Sequence, residues 1–197
     1  NVVLASITLL AVIIALFGKT FWDFCNRPKI KFSLKNEEPH IVWDYSNSLI
    51  TKLFRLKVIN EGNIVAKNCR IRVLSVSPPP EEKFFEPDTL KWSSAPKDTR
   101  YQIDSKPIYR ETKDITPKGG WEFCDLFYSW SGDSRINFVS SGNRQFLARQ
   151  DNYNITIEIS GDNLRPEKAS FRISNFKDIF NMKIDWATNT TPNTSQE

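Results

Sequence analysis

From residue 29 onward this chain alternates apolar and polar residues with a period of two, the signature of half-buried strands. "KIKFSLK" (29–35) sends Ile30, Phe32 and Leu34 to one side and the lysines and Ser33 to the other. "FRLKV" sets Phe54, Leu56 and Val58 against Arg55 and Lys57. "CRIRV" sets Cys69, Ile71 and Val73 against Arg70 and Arg72. "NITIEIS" (154–160), "SFRIS" (170–174) and "MKIDW" (182–186) repeat the pattern with Ile155, Ile157, Ile159, Phe171, Ile173, Met182, Ile184 and Trp186. Runs with one apolar and one polar face predict antiparallel sheets packed on a shared core. Turn signals separate them: "NEGN" at 60, "SGDN" at 160, and Pro166 after Arg165. "GWEFCDLFYSW" (120–130) is apolar on both sides and reads as a central strand. The expected fold is an all-β antiparallel β-sandwich over residues 25–186.

Three segments break the pattern. Residues 1–17 carry no charge, and with the flank "GKTFWDF" they reach the roughly 20 residues a helix needs to cross a bilayer. A transmembrane helix with its interfacial flank is therefore predicted over 1–24, with Phe21 and Trp22 at the headgroups and Lys19 snorkelling to them. The competing reading is a cleaved signal peptide, but the basic n-region and the A-x-A site are not visible. Residues 78–117 hold seven of the eleven prolines, starting with "PPP" at 78, together with Phe84, Phe85, Trp92, Tyr101 and Tyr109. Proline is poorly tolerated in central strands. This stretch is read as an excursion over the sandwich, with one edge strand at "RYQID" (100–104). The tail "ATNTTPNTSQE" (187–197) has no core-forming residue and is predicted to be disordered.

The net charge of +4 changes the picture only when it is located. Residues 1–35 hold Lys19, Arg27, Lys29, Lys31 and Lys35 against Asp23 alone, which leaves 22 basic and 22 acidic residues in the rest. A nucleic-acid partner, which needs a basic patch on the domain, is not expected. Lys19, Arg27, Lys29 and Lys31 are instead placed to meet anionic lipid headgroups. A basic flank favours a cytoplasmic C-terminal domain. The sequons at Asn154, Asn189 and Asn193 fit the opposite side. The expected location is a membrane, by a single pass through residues 1–24, with a slight lean to a cytoplasmic domain.

Candidate chemistry is sparse. His40 is the only histidine and follows "EEP" in what reads as a solvated turn, so a Ser-His or Cys-His pair has little to build on. One histidine is too few for a blue-copper site. A tetrahedral zinc site also lacks ligands. "SGDS" (131–134) and "SSGN" (140–143) lack the lysine and following helix of a phosphate loop. Asp133, Asp151 and Asp162 sit in loops that could converge on calcium, although turn aspartates more often bond their own backbone. Cys69 and Cys124 fall in predicted strands. They read as two buried thiols or as a disulfide across the sandwich, which would need an oxidising compartment. No cofactor and no enzymatic activity are expected.

The order of motifs carries a resemblance. A spanning helix is followed by "RPKIKF" (27–32), "LKVINEGNIVAKNCRIRV" (56–73), "LKWS" (90–93), "DITPKGGWEFCDLF" (114–127) and "YNITIEISGDNLRPEKASFRI" (153–173). That order resembles a group of bacterial and archaeal single-pass membrane proteins with a C-terminal immunoglobulin-like sandwich of the CARDB type. The resemblance implies a fold and an attachment, and it maps no catalytic residue. The expected function is a non-catalytic, membrane-anchored protein-interaction module, an accessory subunit of a membrane assembly. Its aromatic anchors would be Phe84, Phe85, Trp92, Tyr101 and Tyr109. The alternatives are a small-ligand or calcium sensor at the membrane, and an envelope structural protein with a Cys69–Cys124 disulfide.

Overall fold

The computed structural model describes residues 12, 14, 17, 18, 22, 26–45, 49–79, 89–94, 102–103, 106–107, 112–132, 135–139, 146–148, 152–175 and 178–187. Wherever the period-two runs occur, they become strands: β1 (Ile30–Ser33), β2 (Ile41–Asp44), β3 (Thr51–Asn60) and β4 (Ala66–Ser77). They continue with β5 (Lys91–Trp92), β6 (Gln102–Ile103), β7 (Lys106–Pro107), β8 (Lys113–Ile115) and β9 (Gly120–Trp130). The last five are β10 (Arg135–Phe138), β11 (Phe146–Ala148), β12 (Asn152–Gly161), β13 (Leu164–Ser174) and β14 (Lys183–Trp186).

Twelve of the strands form two antiparallel sheets, and β6 and β7 pair apart from them. The first runs β1-β3-β9-β10-β11, with β2 also on β3 and β5 also on β9. The second runs β14-β13-β12-β4-β8. The β3–β9 ladder, from Thr51↔Trp130 to Asn60↔Gly120, is the centre of the first sheet. A bulge after Phe54 leaves Leu126 unmatched, and it explains why β9 buries both Leu126 and Phe127. Each outer edge of this ladder is covered in two pieces. Strands β2 and β1 share the free edge of β3, and β5 and β10 share that of β9.

One core lies between the sheets. Phe54, Leu56 and Val58 meet Ile71, Val73, Ile155, Ile157, Phe171 and Ile173 across the gap. Phe127 marks the middle, stacking on Phe54 at 4.8 Å and on Phe171 of the opposite sheet at 6.4 Å. Fully burying each large apolar side chain contributes about 1.5–3 kcal/mol, so this cluster is the main cohesive term.

Both open sides of the stack are closed. On one side the Asn36 amide accepts from the Ile184 N–H at 2.9 Å and donates to the Ile184 carbonyl at 2.8 Å, tying the β1–β2 connection to β14. On the other, Thr89 bridges to Arg72 of β4 while Lys91 and Trp92 pair with β9, so four residues cross from one sheet to the other. This crossing lies inside the proline-rich 78–117 stretch, which therefore contributes to the body as well as passing over it. The edge strand expected at "RYQID" is instead half of a separate two-stranded ribbon, β6 with β7.

The span expected over 1–24 lies largely outside the described residues. Val12, Ile14, Phe17, Gly18 and Trp22 are described and helical. Among the described residues no helix is long and apolar enough to cross a membrane. The tail from 188 onward also lies outside the described residues.

At the pole where the chain enters β1, the fully buried Asn60 side chain makes four bonds. Its Oδ1 accepts from the Lys29 and Gly62 N–H groups at 3.2 and 3.0 Å. Its Nδ2 donates to the Ile64 and Ile115 carbonyls at 2.8 and 3.1 Å. Gly62 is required by space: a Cβ there would lie 2.6 Å from the Arg27 carbonyl oxygen and 2.7 Å from the Lys29 nitrogen. Asn60→Ala removes the partner of four backbone groups, two of them buried, and is expected to cost about 3 kcal/mol. Gly62→Ala must push backbone apart and is expected to cost at least as much. Urea unfolding of the two variants beside wild type checks both, and a loss under about 1 kcal/mol for Asn60→Ala would contradict this role.

Candidate functional site

The alternation of β3 continues backwards from Phe54 to Lys52, which puts a lysine in the inward register. Lys52 is 3% exposed and is accommodated by the turn before β14. Its Nζ donates to the carbonyls of Ile179, Phe180 and Met182 at 3.1, 3.2 and 2.8 Å. Three donors meet three acceptors, which satisfies the ammonium completely. The rings of Trp43 and Phe54 flank the same charge at 4.8 and 5.2 Å. Burial pulls the Lys52 pKa down to about 8, and the Asp178 carboxylate works in the opposite direction. The group therefore stays charged at neutral pH. Asp178 also shapes the turn, accepting from the Phe180 N–H at 2.9 Å and from the Asn181 amide at 2.7 Å.

The turn held by Lys52 presents an aromatic row at the surface. Trp43 stacks on Phe180 at 5.6 Å and on Tyr45 at 6.4 Å, with interplanar angles of 20° and 21°. Tyr45 is 68% exposed, Phe180 56% and Leu49, two residues before β3, 48%. This patch lies at the opposite end of β3 from Asn60, so it crowns the pole away from the chain's entry into β1.

A shallow open cleft of about 610 Å³ adjoins that pole on the outer side of the second sheet, lined by Asn152, Asn154, Arg172, Asp185 and Trp186 among others. Arg172 Nε donates to Asn152 Oδ1 at 3.2 Å. The lining is rich in amides and lacks a paired general acid and base. Asn154, the first sequon asparagine, is exposed there.

The remaining ionisable groups with shifted behaviour are structural. Burial pushes the Cys69 thiol up to about 12, with Asp114 and Asp162 adding to it, and raises Cys124 as well. Both are buried free thiols. Trp92 lies between them: it pairs with Cys124 in the first sheet and donates its indole N–H to the Cys69 carbonyl of the second at 3.1 Å. Asp125, raised by burial, is held back by hydrogen bonds from Ser93 and Arg55, the latter at 3.1 Å. Among the described residues no group of three or more His, Cys, Asp or Glu could hold a metal ion.

Several sequence expectations change here. Trp92 is 2% exposed and is committed to the core, so it is not a surface anchor. His40 is not a solvated turn residue. It is 4% exposed, meets Phe123 edge-on at 5.4 Å, and burial lowers its pKa. Asp162 accepts from the side-chain amide of Asn68 on β4, a long-range bond between two strand ends. Asp133, Asp151, Phe84, Phe85, Tyr101, Tyr109 and Lys19 lie outside the described residues. Arg27, Lys29 and Lys31 are described at the entry pole, with Lys31 on Glu61 at 3.2 Å. Sequence reasoning missed the Tyr45–Trp43–Phe180 row. The available signal was Lys52 falling on the apolar side of β3, since a buried charge needs a built environment.

Comparison with known proteins finds no match to this chain, whether family models, curated proteins or solved structures.

Lys52→Met keeps the apolar stem and removes the donor from three carbonyls, with an expected cost of about 2–4 kcal/mol in urea unfolding. Its pH signature has a definite sign. The folded pKa lies near 8 and the unfolded one near 10.5, so between those values the unfolded chain binds the extra proton. Stability from this group must then rise as pH increases from 8 to 10. Wild type is expected to show that slope and Lys52→Met to lack it. For the thiols, alkylation of native protein at neutral pH is expected to spare Cys69 and Cys124. Denaturation without reductant should let both react, which a mass measurement reads directly.

Proposed function

We propose that this chain is a non-catalytic, membrane-anchored interaction module, with the two-sheet domain in the cytoplasm and a protein partner at its far pole. The observation that carries this reading is the row in which exposed Tyr45 and Phe180, with Leu49, stack on half-buried Trp43 above a buried ammonium. Rigid aromatics offer large contact area at low entropic cost, and such residues dominate binding energy at protein interfaces. Ten residues of β3 separate this row from the entry pole, about 33 Å at strand rise. A domain tethered by residues 1–24 would therefore hold the row well clear of the bilayer. The exposed apolar side chains of Val12, Ile14, Phe17 and Trp22 on the helical segment support the tether. Free buried thiols are in keeping with a reducing compartment. An immunoglobulin-like strand arrangement is the finer fold that this reading adopts.

A second reading rests on the cleft beside β12 and β13, whose amides and Arg172 suit a small polar ligand. It would make the domain a sensor.

The test uses full-length protein in mild detergent. Wild type is expected to run as part of a larger species, crosslinked through a photoreactive group at position 45. The double variant Tyr45→Ser/Phe180→Ser should lose that species, with each change weakening binding about tenfold. Its melting temperature should stay close to wild type, because both side chains are mostly exposed. A wild-type protein that runs alone and crosslinks to nothing would remove the proposal. A reporter fused after Glu197 reads the side of the membrane.

A further inference from the structure

The opposite pole has its own character. Four backbone segments meet there and are bonded together. Lys29 and Gly119 bond to Asn60, Lys118 N–H reaches the Gly62 carbonyl at 2.9 Å, and Asn163 links Lys67 to Val65 at 2.9 and 2.7 Å. On this locked platform Trp121 is 51% exposed and Ile64 is 37% exposed, and both are apolar. Lys57 lies over the Trp121 ring at 4.5 Å.

The charges around them are unequal in their availability. Two acids are ion-paired, Glu61 with Lys31 and Glu122 with Lys113, while Asp114 and Asp162 accept hydrogen bonds from Asn68 and keep their charge. Lys29, Lys67 and Lys118 are exposed and, among the described residues, form no ion pair. The pole thus offers an indole ring, an isoleucine side chain and unpaired lysines together.

Chain length fixes where this pole can be. The Asn26 N–H bonds the Trp22 carbonyl at 2.9 Å, which ties Asn26 to the helical Trp22. One residue later, the Arg27 carbonyl is already packed on Gly62, leaving no room for a Cβ. From Asn26 to Lys29, itself bonded to Asn60, the chain reaches at most about 11 Å. The headgroup layer on each side of a bilayer is about 5–8 Å thick. A helix that crosses the bilayer and ends near Asn26 would hold this pole within about 11 Å of the membrane surface.

We propose that the Asn60 pole is a lipid-contact surface, in which Trp121 and Ile64 enter the headgroup layer while Lys29, Lys67 and Lys118 meet anionic lipid. This rests on the membrane-anchor reading. Indole rings favour that layer, and lysines near the surface are drawn to anionic headgroups. The contact would fix the tilt of the domain and so the direction in which the Tyr45 row faces.

The experiment reconstitutes the full chain in vesicles of phosphatidylcholine alone or with about 30 mol% phosphatidylglycerol, a strongly anionic surface. Each composition is made with and without brominated acyl chains, which quench indole emission at short range. Subtracting Trp121→Phe from wild type isolates the Trp121 signal. That signal is expected to fall by about half in brominated anionic vesicles, less in phosphatidylcholine, and less again near 0.5 M salt. Lys67→Glu/Lys118→Glu, which changes exposed side chains only, should abolish the dependence on anionic lipid with Trp121 in place. Unquenched Trp121 in vesicles that carry the protein through flotation overturns the inference and leaves the anchor intact. Equal quenching in both lipid compositions overturns the anionic assignment. Protein that does not float with the vesicles overturns the anchor reading, and the inference falls with it.

Discussion

A buried amide with four backbone partners constrains everything at one end of this molecule. Asn60 ends β3, yet its side chain bonds the residue before β1, the turn into β4 and the last carbonyl of β8. Since β8 belongs to the second sheet, this single residue sets how the sheets meet at that pole. The cost of burying an unpaired amide makes the arrangement specific as well as stable, because any other register would leave these groups unsatisfied. Gly62 completes the constraint by letting the incoming chain lie against the turn without a Cβ between them.

The other pole is organised by the complementary device. There a buried cation gathers three carbonyls from a turn that has no ladder partner of its own. Asn60 and Lys52 belong to the same face of the same strand, with Phe54, Leu56 and Val58 between them. Strand β3 is therefore an apolar bar with a polar lock at each end. The locks fix different things. One positions the chain's entry; the other positions aromatic side chains at the surface.

Much of the body was legible in the sequence because its signals are local. The alternation of Cys69 to Val73, Tyr153 to Ile159 and Ala169 to Ile173 follows from one buried and one solvated face, and the adjacent buried Leu126 and Phe127 of β9 follow from the bulge in its ladder. The turn at Asn60–Gly62 was visible as a turn, although not as a junction of both sheets. Residues whose role depends on distant chain were misread. Trp92 looked like a surface aromatic in a proline-rich stretch, but four residues there pass between the sheets and carry it into the core. His40 looked solvated because its neighbours are Glu37, Glu38 and Pro39, and only the placement of Phe123 covers it. Lys52 was readable as a strand residue, while its three acceptors, more than a hundred residues away, were not.

Asn36 has a consequence for how copies of this domain can coexist. A strand at the rim of a sheet exposes N–H and C=O groups that another chain can adopt, which is the usual route to ribbon growth and aggregation. On β14 the outward pair belonging to Ile184 is already taken by the Asn36 amide. The side chain imitates the next strand for the length of one residue and then ends, so it satisfies the rim without extending it. Crowded copies would otherwise meet rim to rim, and at β14 this short amide plug denies them a template.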